Sequence, residues 1–381
     1  MATELLGKSK EELREFCVTL GQPAYRGDQI YHALYAERKT AVDQITNLPA
    51  SFRARLAEQA RITLPLIQQR FASQDGSVRS LFTLASGAEP PKMESPLGEL
   101  ATGNARAKGA TRTASVEAVY MPSEGRQTIC ISTQAGCAVD CRFCLTAQLG
   151  LIRNLTAGEI LAQVLLPLEE HKAQLAPQTN IVLMGQGEPL LNFEGVMAAV
   201  RILQDSAGVG ISAKHVTLST SGIVPGIARL GRETVRPKLA ISLNASNDEQ
   251  RNALMPINRK YPLSVLLEAC RNYPLRNWEH LTFEYVMLGG VNDAPEDARR
   301  VVRLLSALNS VKVNLIPWNP GELPYREPSA EDIEEFRRIL NDKGVPAFVR
   351  YSRGRDVMAA CGQLALLQIS SKPAVTSSLA I

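Results

Sequence analysis

One loop limits what this chain can become more than any other stretch: Gly136-Cys137-Ala138-Val139-Asp140-Cys141-Arg142-Phe143-Cys144. Its cysteines fall in a C-x3-C-x2-C spacing, just after an apolar, strand-like run, Thr128-Ile129-Cys130-Ile131-Ser132. Three thiolates from one short loop suit three irons of a cubane [4Fe–4S] cluster, for which four cysteines are the usual full set. The fourth iron would stay open to a small molecule. The competing readings are a zinc knuckle and three unrelated thiols. Zinc sites usually pair such a motif with a second Cys/His pair. No such pair follows, so Cys137, Cys141 and Cys144 read as cluster ligands.

Composition narrows the setting. A chain of 381 residues is long enough for roughly two or three domains and a large core. With 45% apolar and 21% charged residues it has the balance of an ordinary globular protein. A net charge of +4 does not mark the whole chain as a nucleic-acid binder, but leaves room for a local basic surface. No stretch approaches the roughly 18 apolar residues of a membrane span. Met1-Ala2-Thr3-Glu4-Leu5-Leu6 is not a signal peptide. The expectation is a cytoplasmic monomer with no membrane partner. In that compartment seven cysteines read as ligands, catalytic thiols or buried hydrophobes rather than structural disulfides. Cys17 and Cys270 sit in helical patterns and read as core.

Along the chain, residues 1–65 read as a small helical domain, with helices over 10–17, 25–37 and 50–60. Residues 66–126 read as a β-rich extension whose Asp75-Gly76 pair marks a hairpin turn. Within it, residues 86–115 are rich in Ala, Gly, Thr and Pro without periodicity, and read as a mobile insertion. From Gln127 to about residue 365 strand and helix alternate. Strands are expected at 128–133, 180–184, 214–219, 238–243, 281–287 and 311–316. Helices between them include 157–166, 193–204, 264–271, 295–308 and 330–342. Six such units imply an α/β fold, an incomplete (β/α)₆ barrel with its site at the C-terminal strand ends. A last strand is expected at 347–351, and residues 366–381 read as a flexible tail.

Polar residues gather at those strand ends. Gly185-Gln186-Gly187-Glu188-Pro189 follows the second barrel strand, where glycines allow close backbone approach and Glu188 supplies a carboxylate. Ser219 ends the third strand, Ser242-Leu243-Asn244 ends the fourth, and Asn319 follows the sixth. Their hydroxyls and amides suit a ribose, a carboxylate or an adenine edge. Singly each reads as a helix cap or turn residue; together they ring one mouth. On local evidence Cys130 is a buried strand cysteine and Cys361 a loop thiol.

The cysteine loop with Thr146-Ala147-Gln148 resembles the radical SAM signature. So does Gly187-Glu188-Pro189, where such proteins bind the amino group of S-adenosylmethionine (SAM). Added to these are Leu190-Leu191-Asn192, Leu218-Ser219-Thr220-Ser221-Gly222, Asn314-Leu315-Ile316-Pro317-Trp318-Asn319-Pro320 and Ala360-Cys361-Gly362-Gln363-Leu364. Over residues 10–365 the chain is similar to the RlmN family of dual-specificity RNA methyltransferases. The resemblance implies methylation of carbon 2 of an adenosine in 23S rRNA, and of the adenosine 3′ of some tRNA anticodons. It implies a [4Fe–4S] cluster, two SAM molecules per turnover and a reductant such as flavodoxin. It implies SAM contacts from Gly187, Glu188, Ser219, Ser242, Leu243, Asn244 and Asn319. Cys361 would take a methyl group and carry it to the base. Cys130 would then act as base and resolve the covalent adduct, leaving a transient Cys130–Cys361 disulfide. Glu117 matches a family proton acceptor, with a solvent-facing strand glutamate as the alternative. The target adenine must leave its stack, and the helical domain at 1–65 is the expected RNA-binding accessory. The sequence departs from the family at Gln186, where some members have methionine, and at Asn244, where histidine is frequent. Two rivals are a Cfr-type enzyme acting on carbon 8 of the same adenosine, and a non-catalytic iron–sulfur RNA-binding or redox-sensing protein.

Overall fold

The structure is a computed structural model that describes residues 2–84, 114–360 and 362–364. Residues 86–113 of the expected insertion, the expected tail at 366–381, and Cys361 lie outside the described residues.

The first 61 residues build a helical unit. Strand β1 (Thr3–Glu4) is followed by helices α1 (Lys10–Thr19), α2 (Tyr25–Tyr35) and α3 (Ala50–Gln59), and β2 (Ala60–Arg61) returns to pair with β1. Ser9 and Glu12 close a reciprocal capping box that starts α1. The unit sits on the barrel through Tyr31, whose hydroxyl donates to Asp205 at 2.9 Å, and through the Arg38–Glu169 ion pair. Its core is continuous with that of the barrel.

A ten-stranded sheet follows. Its first part is antiparallel: β3 (Leu66–Ala72), β4 (Val78–Thr83), β5 (Ser115–Ser123) and β6 (Arg126–Cys130). The Asp75-Gly76 turn joins β3 and β4 as the sequence predicts, with Gly76 at φ +79°. Next, β7 (Gln134–Gly136) and β8 (Leu151–Asn154) form a small ribbon enclosing the cysteine loop and α4 (Leu145–Gln148). Helix α5 (Ala157–Glu170) leads to β9 (Gln178–Leu183), which pairs parallel to β6. The alternation continues through α6 (Phe193–Gln204), β10 (Val216–Thr220), α7 (Val224–Gly231), β11 (Lys238–Ser242), α8 (Asp248–Leu254) and α9 (Leu263–Arg271). It ends with β12 (Leu281–Met287), α10 (Pro295–Leu305), β13 (Val311–Pro317), α11 (Ala330–Asp342) and β14 (Ala347–Val349).

Strands β6 and β9 to β13 are the six parallel strands of the expected incomplete barrel, and β14 adds a seventh. Strand β12 shows why these residues build it. Leu281, Phe283, Tyr285 and Met287 are buried in the core beneath the helices, while Glu284 and Val286 alternate with them and face the hollow side. The main core therefore lies between sheet and helices, and the inner face is free to carry polar groups. Strand β14 stops at Val349, two residues before the expected end, because the chain then leaves the sheet edge.

That departing segment bridges the two sheet edges, β14 and β3. Arg353 donates to the Asp75 carbonyl at 2.7 Å and to the Pro122 carbonyl at 2.6 Å. Gly354 N donates to Asp75 Oδ2 at 3.0 Å, and Asp356 accepts from Ser73 Oγ at 2.5 Å and Gln74 N at 3.1 Å. Val357, Ala359 and Leu364 then pack with Val119 and Cys130 in a second, smaller apolar cluster. Hydrogen bonds from Ser77 and Gly354 outweigh partial burial and hold the Asp75 carboxyl well below the usual range, so it is charged at neutral pH. Asp75→Ala is expected to loosen this bridge while leaving the main core intact. Amide exchange over residues 352–360 should rise, with a melting temperature within a few degrees of the parent. Unchanged protection there would show that the bridge does not depend on Asp75.

Candidate functional site

The cysteine loop is held in place by its backbone. Cys137 N donates to the Gly150 carbonyl at 3.0 Å, Arg142 N to Leu254 at 2.9 Å, and Cys144 N to Cys141 at 3.1 Å. Gly136 has φ +74°, and a Cβ there would meet the Gly150 oxygen at 1.8 Å, so only glycine fits. All three thiols line one cavity at the C-terminal ends of the strands. Burial pushes all three thiols up, and neighbouring Cys144 adds to this for Cys137 and Cys141. Buried thiols that disfavour charge become good thiolates when a cation arrives.

The same cavity is lined by Gly185, Gly187, Glu188, Ser219, Ser221, Ser242 and Asn244. Glu188 is buried, which pushes its carboxyl up, against hydrogen bonds that favour the charged form. Those bonds come from Ser221 N and Ser221 Oγ, both at 2.7 Å, and from Leu190 N at 3.1 Å. Gly187 has φ +99°, and a Cβ there would strike Gln134 Cβ at 2.5 Å, so both backbone and space call for glycine; its neighbour Gln134 accepts from Glu188 N at 2.8 Å. The Ser219 and Ser242 hydroxyls lie 3.3 Å apart. Asn244 sits at φ +55°, accepts from Val286 N at 2.8 Å and points its amide at Met255 Sδ, 3.3 Å away. Leu243 and Asn319 do not line this cavity. Leu243 is buried, and its carbonyl accepts from Arg251. Asn319 donates to Ser352 Oγ at 2.8 Å and so anchors the edge-bridging segment.

Arg251 is the residue that sequence reasoning missed. It is fully buried and donates to the carbonyls of Leu243 (3.1 Å), Ser221 (2.7 Å) and Ser242 (3.1 Å), and to Asn258 Oδ1 (3.0 Å). It thus ties the ends of β10 and β11 together. Burial lowers its pKa to about 10, which leaves it charged at neutral pH, and it favours the thiolate of Cys141. A single arginine in a short helix carries no sequence signal for this role.

A second cavity lies on the other side of a layer made by Met184, Glu284, Ile316 and Leu364, which line both. Cys130 is buried and lines this second cavity together with Ala359 and Ala360. On the far side of position 361, Gly362 lines the cysteine-loop cavity. There the Gly362 carbonyl accepts from Leu145 N at 2.8 Å, and the Leu364 carbonyl accepts from Thr146 Oγ1 at 2.5 Å. Glu117 is buried rather than solvent-facing. It pairs with Arg79, whose guanidinium stacks on Phe71 at 4.1 Å, and Phe71 packs against the Cys130 cluster.

Comparison with known proteins identifies the family. The radical SAM superfamily model matches residues 131–305, and that of the ribosomal RNA large subunit methyltransferase N-terminal domain matches residues 3–62. A probable dual-specificity RNA methyltransferase RlmN from Koribacter versatilis is 49% identical over 348 residues, covering 91% of this chain and 96% of its own. A dual-specificity RNA methyltransferase RlmN from Anaeromyxobacter dehalogenans is 43% identical over 370 residues, covering 95% of this chain and 91% of its own. The chain belongs to the RlmN family. A solved radical SAM methyltransferase from Sphaerobacter thermophilus superposes with a TM-score of 0.83 at 40% identity, covering 95% of this chain and 99% of that one.

The cofactors that the radical SAM superfamily implies can be tested against this RlmN-family site. Among the described residues, no three or more His, Cys, Asp or Glu side chains converge to hold a single metal ion. Cys137, Cys141 and Cys144 line one cavity, and a cubane would offer a separate iron to each of their thiolates. The orienting bonds on Glu188 and the paired hydroxyls of Ser219 and Ser242 fit a ligand with an ammonium and a polar sugar or carboxylate. Both groups therefore fit the residues present.

Gly136→Ala tests the loop. The left-handed backbone alone costs about 1–2 kcal/mol for a non-glycine residue, and the contact with Gly150 adds to it. Iron and acid-labile sulfide bound after anaerobic reconstitution should fall several-fold, although all three thiols remain. Full loading would show that the loop can be rebuilt another way.

Proposed function

We propose that this chain is a radical SAM methyltransferase that places a methyl group on carbon 2 of an adenosine in 23S rRNA and in some tRNAs. Membership of the RlmN family supports the reaction class. The observation that carries the site assignment is the pairing of cavities. Cys130 and the residues before position 361 line one cavity, the cluster cysteines line the other, and a single layer of side chains separates them.

Cys137, Cys141 and Cys144 hold the cluster. Gly187, Glu188, Ser219, Ser242 and Asn244 hold SAM, the Glu188 carboxylate meeting its ammonium. Leu243 and Asn319 act indirectly, through Arg251 and Ser352. When bound, cluster and SAM together supply a carbon-centred radical, which ring carbon 2 of adenine requires because it is not a nucleophile. Cys361 is the methyl carrier and presents its S-methyl carbon to the base. Once the radical adduct has given back the one electron that SAM cleavage consumed, Cys130 takes the proton from carbon 2 and passes it to solvent. The regenerated Cys130 thiolate then attacks Sγ of Cys361. The S–CH₂ bond breaks, and the carbon keeps the electron pair and takes a proton to become the product methyl. A Cys130–Cys361 disulfide remains, to be reduced before the next turnover. Glu117, buried beside Arg79, is a candidate proton acceptor.

Two SAM molecules are used per turnover, and flavodoxin is a suitable electron donor. Residues 1–65 act as an RNA-binding accessory, 66–126 as a β extension and 127–365 as the catalytic barrel. No helix among the described residues is long and apolar enough to cross a membrane, and we place the enzyme in the cytoplasm as a monomer.

Nucleoside analysis by mass spectrometry, after anaerobic reaction with SAM, dithionite and rRNA, should detect 2-methyladenosine. Finding only 8-methyladenosine would sink the carbon-2 assignment, and finding neither methyladenosine nor 5′-deoxyadenosine would favour a non-catalytic sensor. Cys130→Ala should trap a protein–RNA crosslink that survives denaturing electrophoresis. Cys361→Ala should give neither crosslink nor product, and a fully active Cys361→Ala enzyme would refute the carrier role.

A further inference from the structure

The cavity that holds Cys130 extends toward the N-terminal ends of the barrel strands, the face that in closed barrels serves stability rather than chemistry. Here that end is lined by cations. Arg126, Lys214, Lys238 and Lys312 stand within two residues of the starts of β6, β10, β11 and β13, and Arg350, just after β14, donates to Asn314 Oδ1 at 3.1 Å; the lining holds a single acid, Glu284. Arg353 also lines the cavity, but Asp75 engages it. Lys238 and Lys312 are half-buried, and neither forms an ion pair with a described acid. Burial and then a neighbouring cation hold both below the usual lysine range: Lys312 acts on Lys238, and Arg350 on Lys312. Glu284 is already engaged by Asn314 Nδ2 at 3.0 Å. Glu279 acts on Lys238 and Glu284 on Lys312, but cations outnumber acids in the cavity lining, and half-buried cations so crowded favour an added anion.

The rim shares Lys214 with that cluster and adds aromatic side chains to it. Trp278 is 38% exposed, with Lys214 Nζ 5.6 Å and the Arg276 guanidinium 5.3 Å from its ring. Tyr351 is 63% exposed and lines the cavity itself. Exposed aromatics interleaved with cations are the pattern by which single-stranded nucleic acid is held, through base stacking and phosphate contact. The volume, about 510 Å³, lies within the ordinary ligand-pocket range of about 300–1,000 Å³ and is roomy enough for one nucleoside. The inner end of the cavity is Cys130, Ala360 and Leu364.

We propose that the target nucleotide enters the barrel from its N-terminal face through this cavity. Lys238, Lys312 and Arg350 hold the phosphodiesters that flank it, and Trp278 or Tyr351 stacks a neighbouring base. The RNA and the SAM site then approach the thiols from opposite sides of the Met184–Glu284–Ile316–Leu364 layer. This rests on the RNA methyltransferase reading and adds the route and the contacts to it.

The test uses the reconstituted holoenzyme and a synthetic RNA hairpin with the target adenosine in its loop. The Lys238→Gln/Lys312→Gln double variant should bind the hairpin at least tenfold more weakly. Its plot of log K against log salt should be shallower by roughly 1–2, since each phosphate-contacting lysine contributes about 1 to that slope. KM for RNA should rise more than kcat falls. Cluster absorbance and RNA-independent cleavage of SAM should match the parent, and the melting temperature should hold or rise because repulsion is removed. Trp278→Ala, at the exposed rim, should weaken binding without changing the salt slope. Parental affinity and slope in the double variant would overturn the proposal. A parent enzyme that binds the hairpin with this salt dependence but methylates nothing would overturn the methyltransferase reading and leave the cavity assignment supported.

Discussion

An open sheet leaves two edges, and the arrangement of this molecule depends on how residues 352–364 span them. The segment is pinned at one end by Asp75 and Pro122, and at the other by Leu145 and Thr146 of α4, directly after the cysteine loop. Each of these hydrogen bonds contributes only about 0.5–1.5 kcal/mol net. Together they carry the chain on either side of position 361 from the cavity of Cys130 to that of the cluster cysteines. Such a segment, with its bonds to Ser73 and Gln74 exposed and only a small apolar cluster beneath it, is expected to open at lower free energy than the main core.

The sheet supplies a second constraint. Closed eight-stranded barrels fill their interior with branched apolar side chains. This barrel places its apolar residues outward, beneath the helices, and leaves Ser219, Ser242, Glu284 and Asn314 inside. Its interior is therefore two cavities divided by one layer, with thiols near that division. A buried polar network is stable only when its members are satisfied. Arg251 meets that need by giving donors to three strand-end carbonyls, and Glu188 by taking three donors. Both hold the strand ends rigid before any ligand binds, which limits the reorganisation a ligand would have to drive.

Much of this was legible in one dimension. The C-x3-C-x2-C spacing needs only a short loop, so three thiols within seven positions of one another could be grouped without knowing the fold. The parallel strands were legible because apolar runs alternate with helical periodicity; helix α11 begins and ends where the pattern predicts, at Ala330 and Asp342. Gly187 and Glu188 were legible because a strand-to-helix turn with glycines and an acid has few structural uses.

Tertiary structure decided the rest, because those interactions join residues that are distant in sequence. The Asp75–Arg353 contact spans 278 positions, and no local pattern encodes it. Asn319 looks like a strand-end ligand but is turned to Ser352; Glu117 looks like an ordinary strand residue but is buried against Arg79. Lys238 and Lys312 are unremarkable lysines until parallel pairing sets β11 and β13 around one hollow. The sequence alone determined which thiols, carboxylate and hydroxyls could be grouped as candidate ligands, since that follows from residue type and short spacing. Only the folded chain decided which thiols share a cavity and where the lysines and arginines gather, since both depend on which strand faces are turned inward.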